Sequence, residues 1–370
     1  MTKNKLGNFV NIKTGKLDAN ASSPDGEYPF FTCSREPLKI SSYSYDCKCV
    51  LVAGNGDLNV KYYEGKFDAY QRTYIIESKD ETALNTRYLY WFLFKYVEKL
   101  RELSIGGVIK YIKLNNLTDP IIPLPSLEDQ KRIVKILDQA DALRKKRKKA
   151  IRLLDEYLKS VFWEMFGDPV NNPKSWEKRL LGDVTDLITD GKHGDSINEE
   201  NSGYYFISAK DIHDGIIDYS NARQIIKKDF EEVHRRTNLY PGDLIIVNTG
   251  ATIGKVAIAK EDHRTQRTTF QKSVAVIKLK KNFINNHYLK FLFGLRLKDL
   301  FRTSTGSAQQ NLLLSQMRKI VITCPPIQLQ NQFVSIVEKV ELLKHTMLTQ
   351  SEELENQFQA LMQKAFKGTL

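Results

Sequence analysis

The strongest constraint on this chain is a repeat that runs through most of its 370 residues. Residues 123–137 read PLPSLEDQKRIVKIL, and residues 324–337 read CPPIQLQNQFVSIV. Upstream, LGNFVNIKTGK (6–16) resembles LGDVTDLITDGK (181–192), and YPFF (28–31) resembles YYFI (204–207), at an offset of about 176. VLVAGNG (50–56) matches IIVNTG (245–250), with Gly56 against Gly250. AYQR (69–72) then matches TFQK (269–272), and LNTRYLYWFLF (84–94) matches INNHYLKFLFG (284–294). Gly106, Pro125 and Gln130 match Gly306, Pro325 and Gln330, so the offset from residue 69 onward is 200. Register held over this span is an internal duplication. The extra residues of the second copy fall between its early blocks.

Each copy has the same order of parts. β-branched and aromatic runs come first, broken by Gly, Asn and Asp: KCVLVA and TYIIE in copy one, YYFISA, GDLIIVN, KVAIA and SVAVIKL in copy two. A short helix follows, then a glycine loop, then a strand (DPIIPLP; KIVITCP), then one long helix. The expected fold class is α+β: two β-rich α/β domains in a pseudo-two-fold arrangement, separated by an antiparallel coiled coil of two long helices. The boundaries are 1–122 and 171–322 for the β-rich domains, and 123–170 and 323–370 for the helices.

The first long helix is expected from about Leu127 to Phe166, with Ile133, Leu137, Ala140, Leu143, Ile151, Leu154, Leu158, Val161 and Met165 on one narrow seam. The second carries Phe333, Val337, Val340, Leu343, Met347, Leu354, Phe358, Leu361 and Ala365. Each is roughly 57 Å long at about 1.5 Å per residue. A lone narrow-seamed helix of that length is unstable in water, so each needs a partner, and the economical partner is the other helix. Residues 129–166 hold 11 Lys/Arg and 6 Asp/Glu, whereas 329–366 hold 3 and 5. An antiparallel pair would set the basic block RKKRKK (144–149) against the nearly neutral KHTMLT (344–349) rather than against itself. The block reads either as a solvated face, or as a patch for phosphate or an acidic partner.

A formal net charge of +12 suits a polyanionic partner. No run of 18 apolar residues spells a membrane span, and MTKNKLGNFVN lacks the apolar core of a secretory signal. Cys33, Cys47, Cys49 and Cys324 have no disulfide or zinc spacing, which fits a reducing cytoplasm. GATIGKV (250–256) is one residue short of a phosphate-binding loop and has Val256 where Ser or Thr would hold magnesium. No G-x-G-x-x-G follows a strand. The six histidines all lie in the second half, without metal-ligand spacing. Asp25, Asp46 and Lys48 loosely fit a nuclease pattern, but its spacer is unconstrained and copy two has no equivalent. The chain is therefore expected not to be an enzyme.

With these parts in place, the chain resembles a type I restriction-modification specificity subunit over nearly all its length. The carriers are PLPSLEDQKRIV, PPIQLQNQFV, the helix endings VFWEMFGDP and LMQKAFKGTL, and STGSAQQNLLLSQM before the last strand. Copy one departs from the pattern: GGVIKYIKLNNL (106–117) lacks the Gly-Ser-x-Gln character of GSAQQNLLL (306–314). The resemblance implies two target recognition domains, each reading half of a bipartite double-stranded DNA sequence, held apart by the helical spacer. It also implies no catalysis and no cofactor in this chain. S-adenosylmethionine would belong to two partner modification (methyltransferase) subunits, and ATP and Mg to restriction subunits.

Base reading requires Arg, Lys, Asn and Gln on loops. In domain one the candidates are Lys13, Lys16, Arg35, Asn55, Lys61, Arg72 and Lys110. In domain two they are Lys192, Lys210, Arg223, Asn248, Lys255, Arg267, Lys272, Gln309, Gln310 and Asn311. A phosphate contact or plain solubility is the alternative for each. Partner binding is expected on the outer helix faces at Gln130, Leu153, Tyr157, Phe162, Gln330 and Phe358, unless the recognition domains cover them. Two other function classes compete: an autonomous DNA-binding nuclease using Asp25, Asp46 and Lys48, and a basic scaffold for RNA or an acidic protein.

Overall fold

The computed structural model describes residues 4–213, 215–300 and 311–370, with backbone alone for 297–300, and every count below is of these residues. The chain forms two compact units, Met1–Ile151 with Thr346–Leu370 and Arg152–His345. The unit borders cut through the two long helices rather than around them. The reason is burial: each helix half packs its apolar side into the core of its own unit.

Unit 1 is built on six strands: β1 (Val10–Thr14), β2 (Tyr28–Phe31), β3 (Leu38–Ile40), β4 (Tyr45–Ala53), β5 (Val60–Ala69) and β6 (Thr73–Ser78). Their order is β1-β6-β4-β5-β2-β3, antiparallel except where β2 meets β5. KCVLVA and TYIIE lie in β4 and β6 as expected. β5 was not foreseen, because Lys61, Glu64, Gly65, Lys66 and Asp68 disguise it. It is defined by its register along β4, from Tyr45 opposite Phe67 to Val52 opposite Val60. Helix α1 (Thr86–Leu103) starts at Asn85, whose side chain accepts the Arg87 and Tyr88 N–H groups, a strong helix-start signal. It buries Tyr88, Leu89 and Trp91 against Val50, Val52 and Ile76 of the sheet and against Leu137 and Phe358 of the long helices. Each such fully buried side chain contributes about 1.5–3 kcal/mol. The short helix α2 (Asn115–Thr118) follows. DPIIPLP forms only a single bridge, Ile121 to Lys5, because its prolines cannot donate to a ladder.

The long helix α3 (Leu127–Phe166) crosses into unit 2. Next come β7 (Lys178–Leu180), β8 (Thr185–Asp190), β9 (Tyr205–Ile207), β10 (Ile212–His213), β11 (Ile216–Ile217), β12 (Arg223–Gln224) and helix α4 (Lys227–Thr237). β13 (Leu244–Val247), β14 (Val256–Ile258), β15 (Thr268–Phe270) and β16 (Val274–Leu279) precede α5 (Asn286–Leu300). Helix α6 (Leu314–Arg318), β17 (Val321–Thr323) and the second long helix, α7 (Ile327–Lys367), complete the chain. The sheets run β14-β13-β16-β8, β12-β9-β15, β10-β11 and β17-β7.

The duplication is visible in hydrogen bonds. Gly15 N–H donates to Thr73 O and Gly191 N–H to Val274 O, each at 3.1 Å. Tyr70 N–H donates to Phe31 O, and Gln271 N–H to Ile207 O. These pairs correct the register near residues 69–79: the offset there is 201, returning to 200 by the start of α1 and α5. They also explain Gly15 and Gly191. A Cβ at either would overlap the carbonyl of Ala69 or of Phe270.

The P-x-x-x-x-Q opening of each long helix has a structural cause. Gln130 is fully buried; its Oε1 accepts the Asn85 N–H (2.9 Å), and its Nε2 donates to Ala83 O (2.9 Å) and Pro125 O (3.1 Å). Gln330 does the same with Asn285 N–H (2.9 Å), Phe283 O (3.0 Å) and Pro325 O (2.8 Å). Tyr88 and Tyr288 add bonds to Pro123 O and Thr323 O. One glutamine thus locks a long helix to the start of a short one. Substituting Gln330→Ala leaves a buried N–H and two carbonyls without partners, at a cost of about 2–3 kcal/mol. Thermal unfolding followed by circular dichroism is expected to show a drop of roughly 5–10 °C in the midpoint of the affected transition.

Within unit 1, Arg132 bonds Leu370 O (3.2 Å) and Arg144 bonds Glu355 (2.9 Å), so the two helix segments run in opposite directions. Within unit 2, Lys344 pairs with Asp155 (2.6 Å) and Phe162 meets Phe333 with ring centroids 5.5 Å apart, giving the same sense. Two expectations need correction. The RKKRKK block meets Glu355, six residues past the neutral 344–349 stretch, through Arg144 and Lys148. Leu143 and Leu343, placed on the seam by spacing, are 55% and 49% exposed. Among the described residues, no helix is long and apolar enough to cross a membrane.

Candidate nucleic-acid interface

In unit 1 the strand ends bring five loops together. The 14–18 loop joins the 70–73 turn through Gln71 N–H to Leu17 O (2.9 Å). That turn joins the β4–β5 loop through Gly54 N–H to Arg72 O (2.8 Å). The β4–β5 loop joins the loop after α1 through Gly56 N–H to Lys110 O (3.0 Å) and the Asn55–Tyr111 bridge. The β2–β3 loop joins through Asn59 Nδ2 to Cys33 O (2.8 Å). Lys16, Arg35, Asn55, Arg72 and Lys110 therefore share one end of the sheet, and all but the half-buried Asn55 are exposed. Such a cluster presents donors and positive charge with freedom to meet phosphate and base edges.

Two candidates of domain one stand apart. Lys13 sits on β1 rather than in one of these loops, and it pairs with Glu77 at 3.1 Å. Lys61 lies on β5, half-buried, with its ammonium bonded to Asn59. Burial pulls it down to about 8. Arg35 bonds Asp57 (2.8 Å) and holds that carboxyl below its usual range. Of the nuclease-like trio, Lys48 pairs with Glu81 (3.1 Å), and no described bond joins Asp25 to Asp46.

Unit 2 repeats the scaffold with different chemistry. Thr249 bridges Asn311, and Leu312 N–H donates to Asn248 O (2.7 Å), as Ile112 N–H does to Gly54 O. Lys210, Lys255, Arg267, Lys272 and Asn311 are exposed. Gln309 and Gln310 lie outside the described residues. Three other candidates are corrected. Asn248 is buried and cannot present its amide to a base. Lys192 is engaged by Asp229 (3.3 Å) and Glu232 (3.1 Å); burial pushes its ammonium down, but the two carboxylates outweigh it and hold it above its usual value. Arg223 is spent on Asp195 (2.6 Å), Asn198 and the Ser196 carbonyl. Asp195 is held below the usual carboxylate range by that contact.

The agent of the Lys192 change is α4, which has no equivalent helix in unit 1. It carries Asp229 and Glu232, and its Arg236 bonds Gly191 O (2.7 Å). Its only trace in the sequence is the jump in repeat offset between residues 207 and 245.

Four of the six partner-binding candidates are also corrected. Gln130, Gln330, Phe162 and Phe358 are fully buried inside their own units. Phe162 packs on Phe166, Tyr288, Phe291 and Phe333. Phe358 packs on Trp91 and lies under the Arg144 guanidinium at 3.9 Å. The recognition domains cover these rings. Leu153 and Tyr157, one helical turn apart on α3, remain exposed.

Comparison with known proteins bears on this arrangement. The sequence model described as the type I restriction modification DNA specificity domain matches residues 1–153 and 173–356. Similar proteins include the type I restriction enzyme EcoDI specificity subunit of Escherichia coli, 29% identical over 99% of this chain and 88% of that one. The EcoBI specificity subunit of Escherichia coli is 22% identical over 81% and 69%. The fold is similar to the crystal structure of the type I restriction-modification system S subunit from M. genitalium, with a TM-score of 0.64 at 15% identity, covering 99% of this chain and 96% of that one. A structure from work on complex assembly and conformational transition of the type I restriction-modification system gives a TM-score of 0.58 at 18% identity, covering 99% and 97%.

Proposed function

Because this chain belongs to the type I restriction-modification DNA specificity family, we propose that its two units read the two halves of one bipartite double-stranded DNA target. The chain is a specificity subunit of a type I restriction-modification system. The observation that carries the finer reading is the paired loop cluster: the Gly54 N–H to Arg72 O bond and the Asn55–Tyr111 bridge of unit 1 recur in unit 2 as the Asn248 N–H to Ser273 O bond and the Thr249–Asn311 bridge. A common scaffold with unlike side chains suits two unlike half-sites. In unit 1 the reading falls to Lys16, Arg35, Asn55, Arg72 and Lys110. In unit 2 it falls to Lys210, Lys255, Arg267, Lys272 and Asn311. The charge of +12 supplies the non-specific attraction that precedes reading.

The chain itself contributes no catalytic group in this reading. Two modification subunits bring S-adenosylmethionine and methylate the target, and restriction subunits bring ATP and Mg, in the cytoplasm where the chromosome lies. Leu153 and Tyr157 are exposed apolar residues of α3, as are Leu143 and Trp163, and are suited to docking a modification subunit. The long helices set the unread gap between the half-sites. The deciding measurement is the methylated motif in the genome of the source organism. A two-part motif with a fixed unread gap is expected. A single uninterrupted motif, or none dependent on this chain, overturns the proposal.

A further inference from the structure

The loop after α1 carries the most exposed apolar side chains of unit 1. Val108 is 104% and Ile109 63% exposed, at the tip of a loop closed by reciprocal bonds between Ile105 and Tyr111 (3.0 and 2.9 Å). The loop is held from below by Gly56 N–H to Lys110 O. Gly106 sits at φ +119°, and a Cβ there would stand 2.6 Å from Ile109 O, so the turn requires glycine. The tip is thus braced outward, and both of its apolar residues stand exposed. Its surroundings are polar and basic: Lys110 is next in sequence, Asn55 lies on the β4–β5 loop bonded to it, and Arg72 lies on the turn bonded to that loop through Gly54 N–H. Two residues make too small a patch for a stable protein interface, which needs more than about 1,000 Å². An apolar point set among cations fits a different partner. Proteins that bend DNA push apolar side chains such as Ile, Leu or Met between stacked base pairs while cations hold the flanking phosphates.

We propose that the 106–110 loop is a wedge, and that Val108 and Ile109 insert between two base pairs of the half-site read by unit 1. This rests on the DNA-reading function above and deepens it. The corresponding stretch of copy two reads GSAQQ (306–310), which is polar, so the wedge belongs to one half-site only.

The test uses the full chain assembled with its modification subunits and a duplex carrying the genomic motif. 2-Aminopurine is placed at successive positions other than the methylated adenine. The wild-type complex is expected to raise the fluorescence at one step in the unit 1 half-site and nowhere in the gap. Val108→Ser with Ile109→Ser is expected to abolish that rise and weaken binding to the motif about ten-fold. Binding to a scrambled duplex should stay unchanged, and Val108→Leu with Ile109→Leu should retain the signal. If the serine variant binds and unstacks like wild type, or fails instead to assemble with the modification subunits, the wedge is wrong. A wild-type complex that does not prefer the motif over the scrambled duplex overturns the reading function itself, and the wedge with it.

Discussion

Replacing residues 1–122 with a second copy of residues 171–322 is expected to give a chain that recognises the unit 2 half-site twice and the unit 1 half-site not at all. The duplicated seat makes the exchange feasible. Gln130 would receive Asn285 as it now receives Asn85, and Tyr288 would take the place of Tyr88. One packing defect is foreseeable. Phe94 of α1 packs on Trp91 and near Phe358, whereas the matching Gly294 has open space around it. Gly294→Phe in the incoming copy restores the ring. With partners present, competition binding is expected to show about a 10³-fold or greater loss of preference for the original two-part target, the usual gap between specific and non-specific binding. If the exchanged chain still favours the original first half, reading does not reside in residues 1–122.

Phe162→Ala is expected to destabilise unit 2 by about 3–5 kcal/mol, the ordinary cost of emptying a buried aromatic site. Phe162 has four aromatic neighbours with ring centroids between 4.9 and 5.8 Å, drawn from α3, α5 and α7. Removing it leaves Phe333 and Tyr288 lining a void that no nearby chain can fill. Urea unfolding of the isolated chain should register the loss, and Phe162→Leu should recover part of it. A residue serving only as an outer docking face would behave otherwise: the isolated chain would keep its stability, and assembly with the modification subunits alone would weaken. That second outcome would contradict the burial described above.

The sequence carried the repeat, the two long helices, the order of parts and the positions of Gln130 and Gln330. These are legible because they depend on periodicity and spacing along the chain. The reason for the glutamines was not legible, since their partners Asn85 and Asn285 lie 45 residues upstream. β5 escaped because a half-exposed strand with five charged or glycine positions shows no apolar alternation; it exists by virtue of its neighbour β4. Charge alone nominated Lys16, Arg72 and Lys110 together with Lys192 and Arg223. Only folding separated them.

By itself, then, the sequence determined that this chain is a duplicated α+β protein with paired rods and a basic surface. The tertiary structure decided which cations remain available. Lys192 is claimed by Asp229 and Glu232, which lie 37 and 40 residues further on and reach it through α4. A side chain's type fixes what it can bind, but its neighbours in space fix whether it is already bound.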